Sequence, residues 1–463
     1  MNTNQMKNIF VNDIEARTRV KSGLITLIAL AMGFIMATLD VTVVNVAVAD
    51  IQEKLGISLS SSTWIVDGYM LSFASLLLAG GALANRYGAK KIYIVGLVFF
   101  VFASLLCSIA TTGETLVIAR VFQGVGAALF MPSSLSLLVV SFPDEKQRAK
   151  MFGIWSAIVS IASGIGPFVG GLLVNTFGWR SIFIINLPIG IVGIFMALVV
   201  VQKVPPKGGK LNLGNHLLGI ITLTALSFSL IEGPNYGWSS FQIIGMIALT
   251  ILTAILFVYA ERKVKNPVIP GELFRNKEFS SANLVGFLLN LALFGGIFMF
   301  GLFLQKARGA SPFLAGLELL PMMAVFIGGN LIFAKMAPRF GSRTPFLTSL
   351  IIAGIGSLAL MFISPSMDYA VIAIIYGSVN LGIGIAVPAM TAIVMKSAGR
   401  ENGNIAGATL NVNRQVGALV GVAFMGIILN ESSDWYSGAS NSFLVMGISY
   451  LLASLLVWKF ISK

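Results

Sequence analysis

Fourteen apolar stretches follow one another along this chain, each near the length that lets a helix cross about 30 Å of hydrocarbon. They fall approximately at 24–48, 63–84, 91–111, 115–140, 150–174, 181–201, 214–232, 241–260, 281–304, 313–334, 345–364, 370–395, 403–430 and 441–461. Short turns rich in Gly, Pro, Lys and Arg separate them. Lipid offers no hydrogen bonds, so a spanning chain must satisfy its own backbone, as helices or as a closed barrel. The ten-residue alternating segments of a barrel are absent. Only 11% of the 463 residues are charged, against about 25% in soluble proteins. The sequence predicts an all-α polytopic membrane protein. Residues 1–23 are read as a polar cytoplasmic segment; the apolar run after it lacks a small-residue cleavage site and is read as a retained first span.

The basic residues give the orientation. With the N-terminus in the cytoplasm, 25 of the 31 Lys and Arg fall in cytoplasmic segments. Only Lys54, Arg180, Lys306 and Arg308 fall outside, while Arg120 and Arg414 lie within spans. Such asymmetry is the positive-inside pattern, and one span too many or too few would spoil it. It places both termini in the cytoplasm and the chain in a cell membrane with many passes. The net charge of +13 is therefore topology, not a nucleic-acid surface. The single Cys107 allows no intrachain disulfide, and the single His216 allows no histidine metal site. No metal and no cofactor are expected. No GxxxxGK[ST] phosphate loop is present, so energy has to come from an ion gradient. No nucleophile, base and ligand cluster suggests an enzyme.

Two turns resemble each other: GALANRYGAKK at 81–91 after the second span and KMAPRFGSR at 335–343 after the tenth. They sit at matching places if the spans group as six, two and six. That gives boundaries of 24–201 for a first bundle, 202–280 for an inserted pair with its loops, and 281–463 for a second bundle. Internal repeats in a membrane protein point to a transporter with its site between the halves.

Polar residues inside spans are the site candidates, because a charge there costs about 2.5–3.5 kcal/mol on insertion scales. Asp40 interrupts FIMATLDVTVVNVAVAD; it can take a proton or pair with an organic cation, or be a structural acid bonded to Thr42 or Asn45. Asp67, in WIVDGYML, is a candidate for both roles or a solvated group at the span's mouth. Glu318, in SPFLAGLELLP, can face a cavity from the second half or be hydrated near the surface. Glu232, beside Gly233 and Pro234, reads as interfacial. Arg120 and the Asn411–Asn413–Arg414–Gln415 group are polar machinery or static interhelical pairs. Trp64, Trp179, Trp238 and Trp435 read as interface anchors.

Several motifs carry a family resemblance. LVIARVFQGVGAA (116–128) resembles the fourth-span arginine motif of major facilitator superfamily transporters, and SGIGPFVGG (163–171) the fifth-span Gly-Pro motif of their antiporters. GALANRYGAKK is similar to the superfamily's loop motif. LDVTVVNVA (39–47), GWRSIFIINLPIG (178–190) and LNVNRQVGALVG (410–421) resemble signatures of the fourteen-span drug:proton antiporters, a branch that includes quinolone efflux pumps.

The resemblance implies a major facilitator fold of fourteen helices as 6+2+6, working as a monomer in the bilayer. It implies proton-coupled efflux of amphipathic cations or zwitterions such as quinolones, lipophilic dyes and quaternary ammonium compounds; a narrow metabolite or siderophore exporter is the alternative. Asp40, Arg120 and Asp67 would couple protons, and Asp40, Asp67 and Glu318 would bind substrate. Gly81, Asn85, Arg86, Gly88 and Lys90, with Gly166, Pro167, Gly170 and Gly171, would govern conformational change. Two positions depart from the pattern. Asn85 replaces an acid that helps latch one state, leaving Arg86, Lys90 and helix-end dipoles for that task. Ala49 replaces a proline that would break the first span.

Overall fold

A computed structural model describes residues 3–142, 144–203, 205–206, 213–263, 271 and 273–461. Among them are fourteen α-helices and no strand. In order they are α1 (Thr3–Leu55), α2 (Leu59–Tyr87), α3 (Ala89–Ile109), α4 (Gly113–Ser141), α5 (Glu145–Phe177), α6 (Ser181–Ile184) and α7 (Asn186–Val200). Then come α8 (Leu213–Tyr236), α9 (Phe241–Lys263), α10 (Lys277–Lys306), α11 (Pro312–Phe340), α12 (Arg343–Leu360), α13 (Tyr369–Glu431) and α14 (Trp435–Phe460). Thirteen stretches of the described residues are long and apolar enough to cross a membrane, and α5 contributes a shorter apolar stretch, Ile161–Phe177.

The helices do not map one to one onto the apolar runs. The run at 181–201 is two helices, α6 and α7, joined at Ile185. The runs at 370–395 and 403–430 belong to one helical element, α13, which turns at Gly399 (φ 76°, ψ 168°). That left-handed backbone suits glycine, which has no Cβ to clash. The polar segment at 3–22 is helical and continuous with α1, which also runs unbroken through Ala49. Helices outrun the hydropathy windows because caps, not lipid, end them. Ser58 accepts from the Ser61 amide at the start of α2, and Asp144 from Gln147 at the start of α5. The expected inserted region 202–280 includes Lys207, Lys210 and Lys265, which lie outside the described residues.

Packing repeats along the chain. Helix α1 packs on α5 and α7, α2 and α3 pack on α4, and α3 packs on α7. In the later part α10 packs on α13 and α14, α11 and α12 pack on α13, and α12 packs on α14. Helix ends repeat too: the Lys90 ammonium donates to the Leu198 and Val201 carbonyls (2.8 and 2.6 Å), and the Arg343 guanidinium to the Trp458 carbonyl (2.8 Å). Each is a cation placed on the negative end of a helix. Helices α8 and α9 pack on each other, and α8 touches α2 and α13.

The two parts meet near the end of the bundle where α1 finishes and α2 starts, called here the distal end. There α5 presses on α11. A Cβ on Gly171 would lie 2.3 Å from the Pro312 oxygen, and one on Gly316 2.3 Å from the Pro167 oxygen. Only small residues allow backbones this close. Gln305 Nε2 donates to the Val46 carbonyl (2.9 Å), joining α10 to α1. A Cβ on Gly426 of α13 would lie 2.9 Å from Thr63 Oγ1 of α2.

Trp179 is not an interface anchor. It is 2% exposed and packs edge-on against Phe183 at 6.2 Å. Trp64 does sit near the distal surface, where its indole N–H donates to Glu232 Oε1 (2.8 Å).

Candidate functional site

Asp40 lies midway along the apolar stretch of α1, Gly23–Leu55, and α4 and α7 bring polar groups to it. Its Oδ2 receives Nη1 of Arg120, and its Oδ1 receives Gln123 Nε2 (2.8 Å) and Asn186 Nδ2 (3.3 Å). Arg120 also donates to Gln123 Oε1 (2.6 Å) and, through Nε, to the Ile65 carbonyl of α2 (3.0 Å). Its guanidinium lies 4.5 Å from the Tyr69 ring centre and 5.8 Å from that of Phe183. Ser104 of α3 closes the set by accepting from Gln123 (2.9 Å) and Asn186 (3.4 Å). Asp40 and Arg120 are 2% and 1% exposed. Such a pair endures away from water because both Asp40 oxygens and the Nε and Nη1 groups of Arg120 are engaged.

The alternative partners take no part. Thr42 Oγ1 bonds back to Thr38 and Leu39 carbonyls, and Asn45 to Val41. The resemblance expects Asp40 and Arg120 to act together; Ser104, Tyr69 and Asn186 are not among the sequence candidates. Asn186 carried a signal, as a polar residue within the apolar run IFIINLPIG.

Asp67 is fully buried, not solvated at the mouth, and among the described residues neither of its oxygens has a hydrogen-bond partner. It lies one turn beyond Thr63, on the face that α2 turns to α13. An ionised carboxylate without a partner is very costly in apolar surroundings, so this group needs a proton or a cation. Asp67 and Arg120 flank opposite sides of α2, and no hydrogen bond links them.

Glu318 is half-buried in the second turn of α11, near the distal end. Its main-chain carbonyl accepts the Tyr369 hydroxyl (2.7 Å), and its Oε2 is buried without a partner among the described residues. It stands apart from the Asp40 network. Glu232 is a hub: its Oε1 accepts from Trp64 and Ser60 (3.2 Å), and its Oε2 from Asn235 (2.9 Å), tying α8 to α2.

Asn411, Arg414 and Gln415 are half-buried on the second arm of α13. Arg414 lies one turn from Leu410, which faces Gly286 of α10, while Asn413 donates to the Asn283 carbonyl of α10. In the fifth-span motif, a Cβ on Gly166 would lie 1.9 Å from Thr42 Oγ1 and one on Gly170 3.0 Å from Val43, so α5 is wedged between α1 and α11. In the loop motif, Gly81 faces Pro132, Asn85 and Arg86 are exposed, and Gly88 takes the left-handed turn (φ 95°) between α2 and α3. Lys90 engages α7 as described, within the same part of the molecule.

Comparison with known proteins adds the family. The Major Facilitator Superfamily model matches residues 30–422. The chain is 53% identical over 442 residues, 95% of each protein, to the Methylenomycin A resistance protein of Bacillus subtilis. It is 52% identical to the protein of the same name from Streptomyces coelicolor, over 96% of this chain and 94% of that one. It is 33% identical to the Multidrug resistance protein Stp of Mycobacterium tuberculosis, over 88% of this chain and 76% of Stp. In fold it matches a crystal structure of a POT family transporter in complex with 5-aminolevulinic acid, with a TM-score of 0.72 at 14% identity, over 95% of this chain and 96% of that one. A helical bundle with a buried ion pair at its heart, and relatives named for drug resistance along nearly its whole length, place this chain in the Major Facilitator Superfamily as a multi-pass membrane transporter.

Proposed function

We propose that the protein is a proton-coupled antiporter that exports antibiotics by alternating access. The observation that carries this reading is the Asp40–Arg120 pair, sealed among Gln123, Asn186 and Ser104. A proton on Asp40 removes half of the ion pair and leaves the guanidinium to find other acceptors. Arg120 already binds the Ile65 carbonyl of α2, so this change pulls on a second helix. Asp67, on the opposite face of α2, would be a second proton or cation site at the contact with α13.

The repeating packing supports a 6+2+6 arrangement, with α8 and α9 as the inserted pair. The basic residues put both termini in the cytoplasm and the distal end outside. The glycine contacts there would then close the outer side, so this conformation faces inward. Opening would separate α5 from α11 and α2 from α13. The working unit is a monomer in the bilayer, using protons as the coupling ion and no cofactor, and it does no enzymatic chemistry. One proton crossing 100 mV supplies about 2.3 kcal/mol.

Two relatives named for methylenomycin A resistance, matched along nearly the whole chain, favour a substrate of that kind and hence the narrow reading. Relatives named for multidrug resistance keep quinolones, dyes and quaternary ammonium compounds as the broader set. The test is exchange in proteoliposomes under a proton gradient, offering methylenomycin A, ethidium and a fluoroquinolone separately. Drug-dependent proton movement in wild type and its loss in Asp40→Asn supports the reading. Normal exchange in Asp40→Asn removes Asp40 from coupling, and no movement of any of the three overturns the export reading.

A further inference from the structure

A slot open to the side, with about 750 Å³ of space counting its open part, lies beside the bundle, away from the Asp40 network. Ala74, Ser75 and Leu78 of α2 and Val412 and Val416 of α13 form one wall. The inserted pair forms the other, with Gly219 and Leu223 of α8 and Ala254, Phe257 and Val258 of α9. The lining is almost wholly apolar, and the outer face of α9 exposes Ile251, Leu252 and Ile255. On one side the Thr222–Thr253 hydrogen bond (2.9 Å) ties α8 to α9.

The proximal end has a different chemistry. His216 and Asn215 line the slot there, at the first turn of α8. Asn215 Nδ2 donates to Glu261 Oε1 (2.6 Å), which ties α8 to α9 at this end. Arg262 is exposed and lies one turn beyond Val258, at the same end of α9. The apolar slot thus ends at an imidazole, with a guanidinium one turn beyond Val258 at the same end. That order of surfaces matches one amphiphile, a lipid with an anionic headgroup. Basic mouths between spanning helices are known to take such headgroups.

We propose that this slot holds an acyl chain of an anionic phospholipid, with its phosphate at His216 and Arg262. The lipid would fill the gap between the inserted pair and α2 with α13, whose distal contact is the Thr63–Gly426 approach. It would therefore act on the helix pair that has to separate during transport. It would also give the inserted helices a purpose that the Asp40 network does not need.

The test is native mass spectrometry of the full-length protein, purified in detergent and titrated with phosphatidylglycerol or phosphatidylcholine of identical chains. Wild type should retain one phosphatidylglycerol with about fivefold preference, the scale of one basic residue at a membrane surface. Gly219→Phe fills the slot, since a Cβ there meets only the Phe257 ring at 3.8 Å. It should lose both lipids. Arg262→Gln, on an exposed surface, should retain lipid but lose the preference, and this variant decides the matter even if the bulky one fails to fold. Equal retention of the two lipids by wild type overturns the proposal. So does phosphatidylglycerol retention unchanged in both variants, or displacement of the lipid by methylenomycin A, which would make the slot a drug site.

Discussion

The Asp40 carboxylate and the Arg120 guanidinium meet 80 positions apart in the chain, with almost no water-accessible surface between them. Each is the other's counter-charge, and Gln123 touches both. Removing one partner of such a pair costs about 3–5 kcal/mol, because the other charge is left buried. Asp40→Asn should therefore lower Tm as well as abolish coupled exchange. Asp40→Asn with Arg120→Gln should be milder than the sum of the single changes, by a coupling of about 0.5–3 kcal/mol. Thermal unfolding of the four proteins in detergent checks this. Strict additivity would show that the pair contributes nothing as a pair.

Arg120→Lys keeps the charge but loses the planar fork. One ammonium cannot serve Asp40, Gln123 and the Ile65 carbonyl in the same geometry, nor stack on Tyr69. Exchange should fall at least about tenfold, equivalent to about 1.4 kcal/mol. Rates equal to wild type would show that only the charge matters.

Asp67 has no partner to lose among the described residues, so Asp67→Asn should leave Tm nearly unchanged. If this carboxyl carries a proton or a cation, the same change should lower the number of protons moved per drug molecule. Simultaneous pH and drug fluorescence in proteoliposomes measures that ratio. An unchanged ratio assigns Asp67 no part in coupling.

Gly171→Val adds bulk where a Cβ would already lie 2.3 Å from the Pro312 oxygen. Backbone cannot give way as a flexible side chain can, so α5 and α11 must part at an overpacking cost of about 1–3 kcal/mol. Spin labels on the distal ends of α5 and α11 should show a longer distance, and transport should fall. Labels that do not move would mean that this approach does not hold the distal end shut.

Glu232 fastens the inserted pair to α2 through Trp64 and Ser60. Glu232→Ala should cost about 1–3 kcal/mol, the range for removing a charged hydrogen-bond partner. Trp64→Phe should cost less, because it removes one donor and keeps the ring. Unfolding midpoints order the two, and the reverse order would make the ring, not the bond, the fastening.

Much of this molecule was set by local sequence. The apolar runs fixed the type of the elements and the approximate place of most of them, because each must satisfy its backbone within itself. The Lys and Arg asymmetry supplied an expected orientation, and polar residues stranded in apolar runs drew attention to Asp40, Asp67 and Arg120. Local pattern also misplaced things. Hydropathy could not show that Ile185 divides one run in two, or that Gly399 turns a helix that otherwise continues. It took Trp179 for a surface anchor when Phe183 and the neighbouring helices bury it.

Only the tertiary structure decided which polar groups share a site. Asn186 is placed beside Asp40 by the packing of α7 on α1, and Ser104 by that of α3 on α4 and α7. Asp67 and Glu318 joined Asp40 as site candidates in the sequence, yet α2 and α11 turn them elsewhere. Hydrophobicity determines that a segment spans, through a transfer free energy that each residue contributes on its own. Which side chains meet is determined by how helices rotate and approach, through backbone contacts such as Gly171 on Pro312 that depend on two distant segments at once.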